Sequence, residues 1–191
     1  MKFFAKSLPV VLSLALASSA LAQRQTFTVD PQTSQVAFTL PATGHTVHGN
    51  FHVQSGSITF DPAAQTLSGS IVVAAGSGNS GDAGRDKKMN HEVLNTEKYA
   101  EVAFAPSSYT GKLALTGDST IQVSGVFTLH GAPHNIVVPM QIHIEGANLT
   151  AKGSFPVPFV QWGLKDPSVL FLKVAKTVQI DLNLAGTVSR D

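Results

Sequence analysis

One stretch of this sequence departs from the pattern of everything around it: Gly76–Tyr99, which reads GSGNSGDAGRDKKMNHEVLNTEKY. Its glycine-rich start is typical of a loop, and Met89 and Val93 then stand four residues apart among charged neighbours. Apolar residues at that spacing share one face of a helix. The stretch therefore predicts a flexible loop followed by a short amphipathic helix, in a chain that otherwise consists of strands.

On both sides of this stretch, apolar and polar residues alternate as they do in β-strands with one buried face. The clearest runs are residues 35–40, 47–53, 121–129, 136–144, 149–159 and 178–184, with shorter ones that include Leu113 and Leu115. Strands with one apolar face are typical of antiparallel sheets. We therefore predict an all-β fold with one short helical crossover.

Glycines inside the predicted strands favour a closed barrel over a flat sheet. Gly49, Gly69, Gly125 and Gly153 occupy positions on the apolar face in the interior of these strands. Interior glycines weaken a flat strand, whereas they suit bends and bulges in a curved one. An antiparallel, lipocalin-like barrel of about eight strands has no exposed edges and leaves room for one small ligand. A two-sheet sandwich has the same periodicity and is the alternative architecture.

The first 22 residues have the three parts of a secretory signal. Lys2 and Lys6 are basic, residues 8–16 are an apolar run, and residues 20–22 are Ala-Leu-Ala, a small-x-small cleavage site. The apolar run is much shorter than the ~20 residues of a bilayer span. We expect cleavage after Ala22, a mature barrel domain over residues 23–191, no membrane anchor after cleavage, and a periplasmic or secreted location.

Composition and charge narrow the range of partners. The chain has no cysteine, so disulfides do not stabilise it. Removal of Lys2 and Lys6 with the signal leaves 11 basic side chains, against the 12 acidic ones of the whole chain. A chain so close to neutrality has no overall electrostatic attraction to nucleic acid or to an anionic membrane. We expect no nucleic-acid partner.

The motifs of common enzymes are missing or incomplete. His91-Glu92 begins like the helix of a zinc protease, but Asn95 stands where the second histidine is required. No Gly-x-Ser-x-Gly elbow is present, no cysteine nucleophile exists, and the carboxylates are scattered singly. The sequence predicts a protein that is not an enzyme and that needs no cofactor.

Seven histidines raise a metal-binding alternative. His48 and His52 share a strand face but would lie ~13 Å apart along it, too far for one ion. His130 and His134 flank a Gly-Ala-Pro turn and would converge across a hairpin. Because no cysteine or closely spaced carboxylate completes a four-ligand set, we predict no metal site.

Several motifs, in order, are similar to those of the YceI-like family. The resemblance extends over residues 26–187, and its departures, such as Thr33 and Ala100, cluster mainly around the crossover. The motifs are Phe27–Pro31 (FTVDP), Val47–Phe51 (VHGNF), Ser55–Asp61 (SGSITFD), Arg85-Asp86, Tyr99, Val123–Gly131 (VSGVFTLHG) and Trp162–Leu164 (WGL).

The resemblance implies a lipocalin-like barrel that binds a polyisoprenoid or another lipid-like molecule without catalysis, and related barrels leave room for a homodimer. An apolar cavity needs few polar groups, since each buried methylene contributes ~0.8 kcal/mol. Arg85 and Asp86 would either touch a headgroup or, as the favoured alternative, form a salt bridge that holds the crossover. Strand parity and the second loop select the remaining ligand-binding residues, which are Phe38, Phe51, Phe104, Phe127, Ile142, Phe155 and Trp162.

Three interpretations stay open at this point, and the lipid-binding barrel is the first of them. Parity does not distinguish a cavity from a solid core, so the barrel would equally be a structural or stress-response domain filled by its own side chains. A histidine-based metal protein is the less favoured third interpretation. The identity, chain length and headgroup of a lipid are not encoded in any motif.

Overall fold

The computed structural model describes residues 24–190, and the predicted signal segment lies outside the described residues. The stretch that departs from alternation contains a 3-10 turn (Ala75–Ser77), helix α1 (Ala83–Lys88) and a π-helical turn (Met89–Leu94), so the predicted crossover helix is confirmed. The ten strands are β1 (Gln25–Val29), β2 (Gln35–Ala42), β3 (His45–Phe51), β4 (Val53–Asp61), β5 (Thr66–Ala74), β6 (Glu101–Gly111), β7 (Gly117–Leu129), β8 (Ala132–Glu145), β9 (Asn148–Val157) and β10 (Val178–Arg190).

The strands form one antiparallel sheet that closes on itself. Its order is β1-β4-β5-β6-β7-β8-β9-β10, and β10 returns to pair with β1. β2 lies beside β10 as a continuation of β1, and β3 pairs with β2 as a continuation of β4. The barrel therefore has eight strand positions, as predicted, and the sandwich alternative is wrong.

Two of the interior glycines lie at irregularities of the sheet, as expected for curved strands. Gly69 has a φ of +108°, and the β5–β6 register shifts between Thr66 and Ile71. A Cβ on Gly125 would lie 2.5 Å from the carbonyl oxygen of Ala105, beside a second register shift. Close backbone approach thus explains why these strand positions carry no side chain.

The connections sort to the two ends of the barrel. One end, the closed end, has the short connections at residues 62–65, 112–116 and 146–147. The predicted strand around Leu113 and Leu115 is therefore wrong, since these residues lie in the β6–β7 connection. The other end, the open end, has the turn at 43–44, the crossover 75–100, the turn at 130–131 and the loop 158–177.

Inward side chains fill the half of the barrel next to the closed end. They are buried against one another in a single cluster, which includes Phe27, Val29, Phe60, Tyr109, Ile121, Val123, Met140, Ile142, Ile144, Leu149 and Ala151. Burial raises the pKa of the Tyr109 phenol, with the nearby Asp61 carboxylate adding to the effect. Within residues 24–190, none of the helices is both long enough and apolar enough to cross a bilayer.

Candidate ligand-binding cavity

The half of the barrel next to the open end is hollow. It encloses a cavity of about 570 Å³ whose wall is almost entirely apolar. The floor is formed by Val138 and Leu184, which are 1% and 2% exposed and separate the cavity from the packed half. The wall also includes Val36, Leu40, Val47, Ile71, Val73, Val102, Leu129, Val157, Val178, Ile180 and Leu182.

All five phenylalanines selected by strand parity lie in this wall. Four of them form two aromatic pairs: the ring centroids of Phe38 and Phe51 are 5.4 Å apart, and those of Phe127 and Phe155 are 5.6 Å apart. Phe104 lines the cavity as a single ring. The Phe127 and Phe155 rings meet edge to face, a favourable arrangement for aromatic side chains. Arg85 also reaches the cavity, so six of the eight predicted site residues come together there.

Ile142 and Trp162 lie outside the cavity wall. Ile142 faces inward but stands opposite Ala151 in the packed half, because parity fixes the face of a strand and not the height along it. Trp162 lies in the loop after β9, where its ring stacks on the His134 ring with 3.9 Å between the centroids. Its ring centroid lies 6.0 Å from that of Phe127. Trp162 thus packs against Phe127, one of the aromatic residues of the cavity wall.

The crossover docks along the side of β3 that no strand covers. Asn50 and Asn79 exchange two backbone hydrogen bonds, with N···O distances of 3.0 and 2.9 Å. The N–H of His52 donates to the Ser77 hydroxyl at 2.8 Å. The docking requires a glycine in β3, since a Cβ on Gly49 would lie 2.5 Å from the Asn79 carbonyl oxygen.

The helical part of the crossover forms the roof of the cavity. Arg85, Lys88 and Met89 recur at the i, i+3, i+4 spacing, and all three line the cavity with Val93 and Leu94. Of these, only Met89 and Val93 were recognised in the sequence as one apolar face. Lys88 follows Arg85 by three residues, so the same spacing rule applied forward from Arg85 would have found it.

Arg85 and Asp86 do not pair directly. The Arg85 Nε atom donates to the Ser80 hydroxyl at 2.7 Å, and its Nη2 atom donates to the Ser80 carbonyl at 2.8 Å. The Asp86 carboxylate accepts from the Ser80 N–H at 2.9 Å and from the Ser80 hydroxyl. The predicted salt bridge is therefore wrong, because adjacent residues of a helix point in different directions, and Ser80 connects them instead.

Residues 158–177 form the opposite rim of the mouth. The loop is tied to the β2–β3 turn, where the Thr43 N–H donates to the Lys173 carbonyl at 2.9 Å. It is tied to the roof as well, since the Lys88 Nζ atom donates to the Pro167 carbonyl at 3.3 Å. From this loop the sequence analysis selected only Trp162 as a ligand-binding residue, whereas Leu164, Pro167, Leu172 and Val174 line the cavity.

Three carboxylates near the mouth have lowered pKa values. The Lys165 ammonium, 2.6 Å from the Glu92 carboxylate, lowers the pKa of Glu92 and joins the loop to the roof. Hydrogen bonds from Ser168 lower the pKa of Asp166, and the Arg85 N–H at the start of α1 does the same for Asp82. In all three cases a hydrogen bond to the carboxylate favours its ionised form.

The histidines of the metal hypothesis are held by separate aromatic partners. The His130 ring lies 4.2 Å from Tyr99, whereas His134 stacks on Trp162. In the part of the chain that the structure describes, no three or more His, Cys, Asp or Glu side chains are grouped as a metal site requires. The metal interpretation finds no ligand set there.

Residues 76–81, GSGNSG, match the letters Gly-x-Gly-x-x-Gly, a pattern that dinucleotide-binding turns share. Such a turn requires two parallel strands joined by a helix. Here the flanking strands β5 and β6 run antiparallel, and α1 has only six residues. The glycines serve the crossover instead: a Cβ on Gly78 would lie 2.7 Å from the Phe51 ring.

This chain is similar to known proteins in both sequence and fold. A family model described as the YceI-like domain matches residues 27–185. The chain belongs to the YceI-like family. It is similar to a UPF0312 protein of Pseudomonas savastanoi pv. phaseolicola, with 26% identity over 188 residues, which cover 93% of this chain and 94% of the relative.

Two solved structures share the fold of this YceI-like chain. BcnA of Burkholderia cenocepacia superimposes with a TM-score of 0.69 at 23% identity, covering 83% of this chain and 99% of that one. A polyisoprenoid binding domain from Saccharophagus degradans, implicated in plant cell wall breakdown, gives a TM-score of 0.64 at 16% identity, covering 85% and 98%. At these identities the likeness establishes the barrel architecture.

Proposed function

We propose that this chain is an exported, non-catalytic carrier that holds a long-chain isoprenoid or a similar amphiphilic lipid in its barrel. The observation that carries the proposal is the hollow half, about 570 Å³ of apolar space with polar groups only at its mouth. That volume is in the range of protein sites for small molecules. Export rests on the signal pattern of residues 1–22.

The wall and the mouth match the two ends of an amphiphile. Each methylene that leaves water for the cavity contributes ~0.8 kcal/mol, so a branched hydrocarbon tail needs no polar partner inside. At the mouth, Arg85 and Lys88 supply positive charge for a polar or anionic head. The tail contacts we propose are Phe38, Phe51, Phe104, Phe127 and Phe155, without Ile142 and Trp162.

Two further observations support this function over the alternatives. A structural barrel filled by its own side chains would have no cavity above the Val138–Leu184 floor, whereas this barrel has about 570 Å³ of apolar space there. The polyisoprenoid binding domain from Saccharophagus degradans has the same fold, which supports an isoprenoid as the class of cargo.

The test is mass spectrometry of a solvent extract from the protein purified from its own host. We expect one isoprenoid-type species near one per chain. A matched pair of variants locates it: Val178→Trp would fill the cavity wall and lower the lipid per chain, whereas Val137→Trp, on the outer face of β8, would leave it unchanged. An empty extract from well-folded wild-type protein would refute the carrier function.

A further inference from the structure

The loop between β9 and β10 ends in an exposed apolar tip, residues 169–172. Val169 and Leu172 exchange two backbone hydrogen bonds of 3.0 and 2.8 Å, so Leu170 and Phe171 occupy a two-residue hairpin turn. Leu170 is 87% exposed and Phe171 is 93% exposed. Large apolar side chains that are exposed side by side mark an interaction surface.

The backbone of the tip is unfavourable for the residue it carries. Leu170 has a φ of +41°, a region that bulky side chains avoid and that glycine or asparagine occupies at little cost in hairpin turns. Folding alone would favour one of those residues. A leucine at this position is therefore consistent with a function for its side chain outside the fold.

The tip projects from a rigid base. The Asp166 carboxylate accepts from the Ser168 N–H at 2.9 Å, and the Ser168 hydroxyl accepts from the Val174 N–H at 3.0 Å. The bonds between Thr43 and Lys173 then fix the base to the β2–β3 turn. The apolar pair is thus exposed at the end of a loop whose base is hydrogen-bonded to itself and to the β2–β3 turn.

Positive charge flanks the tip. The loop 158–177 contains three lysines and one aspartate in a mature chain whose net charge is near −1. Lys165 pairs with Glu92, and Lys176 lies 3.9 Å from Asp166. Among the ion pairs of residues 24–190, Lys173 has no carboxylate partner, so its ammonium next to the tip is available to an external anion.

We propose that the tip inserts into the interfacial layer of an anionic lipid bilayer and places the cavity mouth on the membrane. Exposed leucine and phenylalanine with flanking lysines are the chemistry by which peripheral proteins bind such surfaces. Leu172 belongs to both the tip and the cavity wall, so an inserted tip brings the mouth to the lipid. The purpose of this docking rests on the proposed carrier function.

A second copy of the chain fits the same surface less well. Contact between two identical tips would bring Lys173 and Lys176 of both copies together, where like charges repel. An anionic lipid surface satisfies the apolar pair and the lysines at once. The near-neutral net charge of the whole chain does not reveal this local excess of lysine, because net charge sums over every surface of the protein.

The test is co-sedimentation of the purified protein with vesicles of phosphatidylcholine that contain about one-third phosphatidylglycerol. The double variant Leu170→Ser/Phe171→Ser should bind at least about tenfold more weakly than wild type. Lys173→Gln should weaken binding less, with a smaller loss of binding when salt is raised. Val137→Ser, which removes an apolar side chain exposed to 57% on the outer barrel face, is the matched control and should bind like wild type.

The outcomes separate this inference from the carrier function. Wild-type protein that does not sediment with the vesicles, or a double variant that binds as wild type does, overturns the docking surface. A wild-type dimer that becomes monomeric in the double variant, without vesicle binding, overturns it in favour of self-association. Solvent extracts of the same samples report cargo separately: lipid without vesicle binding leaves the carrier function standing, and vesicle binding without lipid refutes the carrier function alone.

Discussion

The two halves of this barrel are built by the same alternating strands and yet have opposite interiors. At the closed end β4 pairs with β1 on one side and with β5 on the other, and inward side chains fill the interior. At the open end β3 separates from β5, and residues 75–100 stand in the wall where a strand pair would otherwise close it. The cavity lies in this half of the barrel.

The difference shows how a cavity is specified. Period-two alternation places apolar residues on the inner face at every height, so it predicts a solid core and a hollow one equally well. The helical segment inserted between β5 and β6 decides where the interior stays open. The stretch that departs from the alternating pattern therefore contributes residues to the lining of the cavity.

Among substitutions in the two halves, the largest loss of stability is expected in the packed half. Ile142→Ala should lower the free energy of unfolding by about 2–5 kcal/mol, because it removes buried methylenes and leaves a void in a close-packed region. Urea denaturation followed by circular dichroism measures the change. Ile142→Val serves as the graded control and should cost about 0.5–1.5 kcal/mol. A negligible effect of Ile142→Ala would mean that this half is not packed.

A smaller effect is expected in the hollow half. Phe104→Ala should cost about 1–2 kcal/mol, below the value typical of a buried phenylalanine, because part of the ring already faces empty space. The same urea denaturation applies. A loss in the free energy of unfolding that matched or exceeded that of Ile142→Ala would mean that the two halves do not differ in packing.

The smallest effect concerns the ion pair that joins roof and loop. The Lys165 ammonium lowers the pKa of Glu92 below its ordinary 4.5, so its stabilisation is complete above pH 4.5 and is lost as pH falls through the lowered folded-state value. Glu92→Gln should lower Tm at neutral pH by no more than about 2 °C, because the pair is solvent-exposed. The difference from wild type should vanish in acid. A difference that persists unchanged at acid pH would show that ionisation of Glu92 is not its cause.

Much of the fold was readable from the sequence because its signals are local. Alternation located most of the strands, the interior glycines indicated curvature, and the spacing of Met89 and Val93 indicated the crossover helix. These features depend on neighbours within a few residues along the chain. The order of the YceI-like motifs added the barrel topology that periodicity left open.

The site was readable only in part, because height, loop conformation and side-chain direction are not periodic. Ile142 has the right parity but lies below the floor, which depends on its register with Ala151. Trp162 and Arg85 have partners that only the folded loop and helix determine, in particular His134 and Ser80. The run Val169–Leu172 has no alternation at all and gave no signal that the strand analysis was able to use.

The floor formed by Val138 and Leu184 limits how a molecule can enter and leave the barrel. Because the far side is packed, the interior is a pouch with one opening, and a guest that enters must leave backwards by the same route. The end that goes in first comes out last, so the orientation of the guest is set at entry. The depth of the pouch also limits how much of a guest is enclosed, because any part of the guest longer than that depth stays outside the mouth.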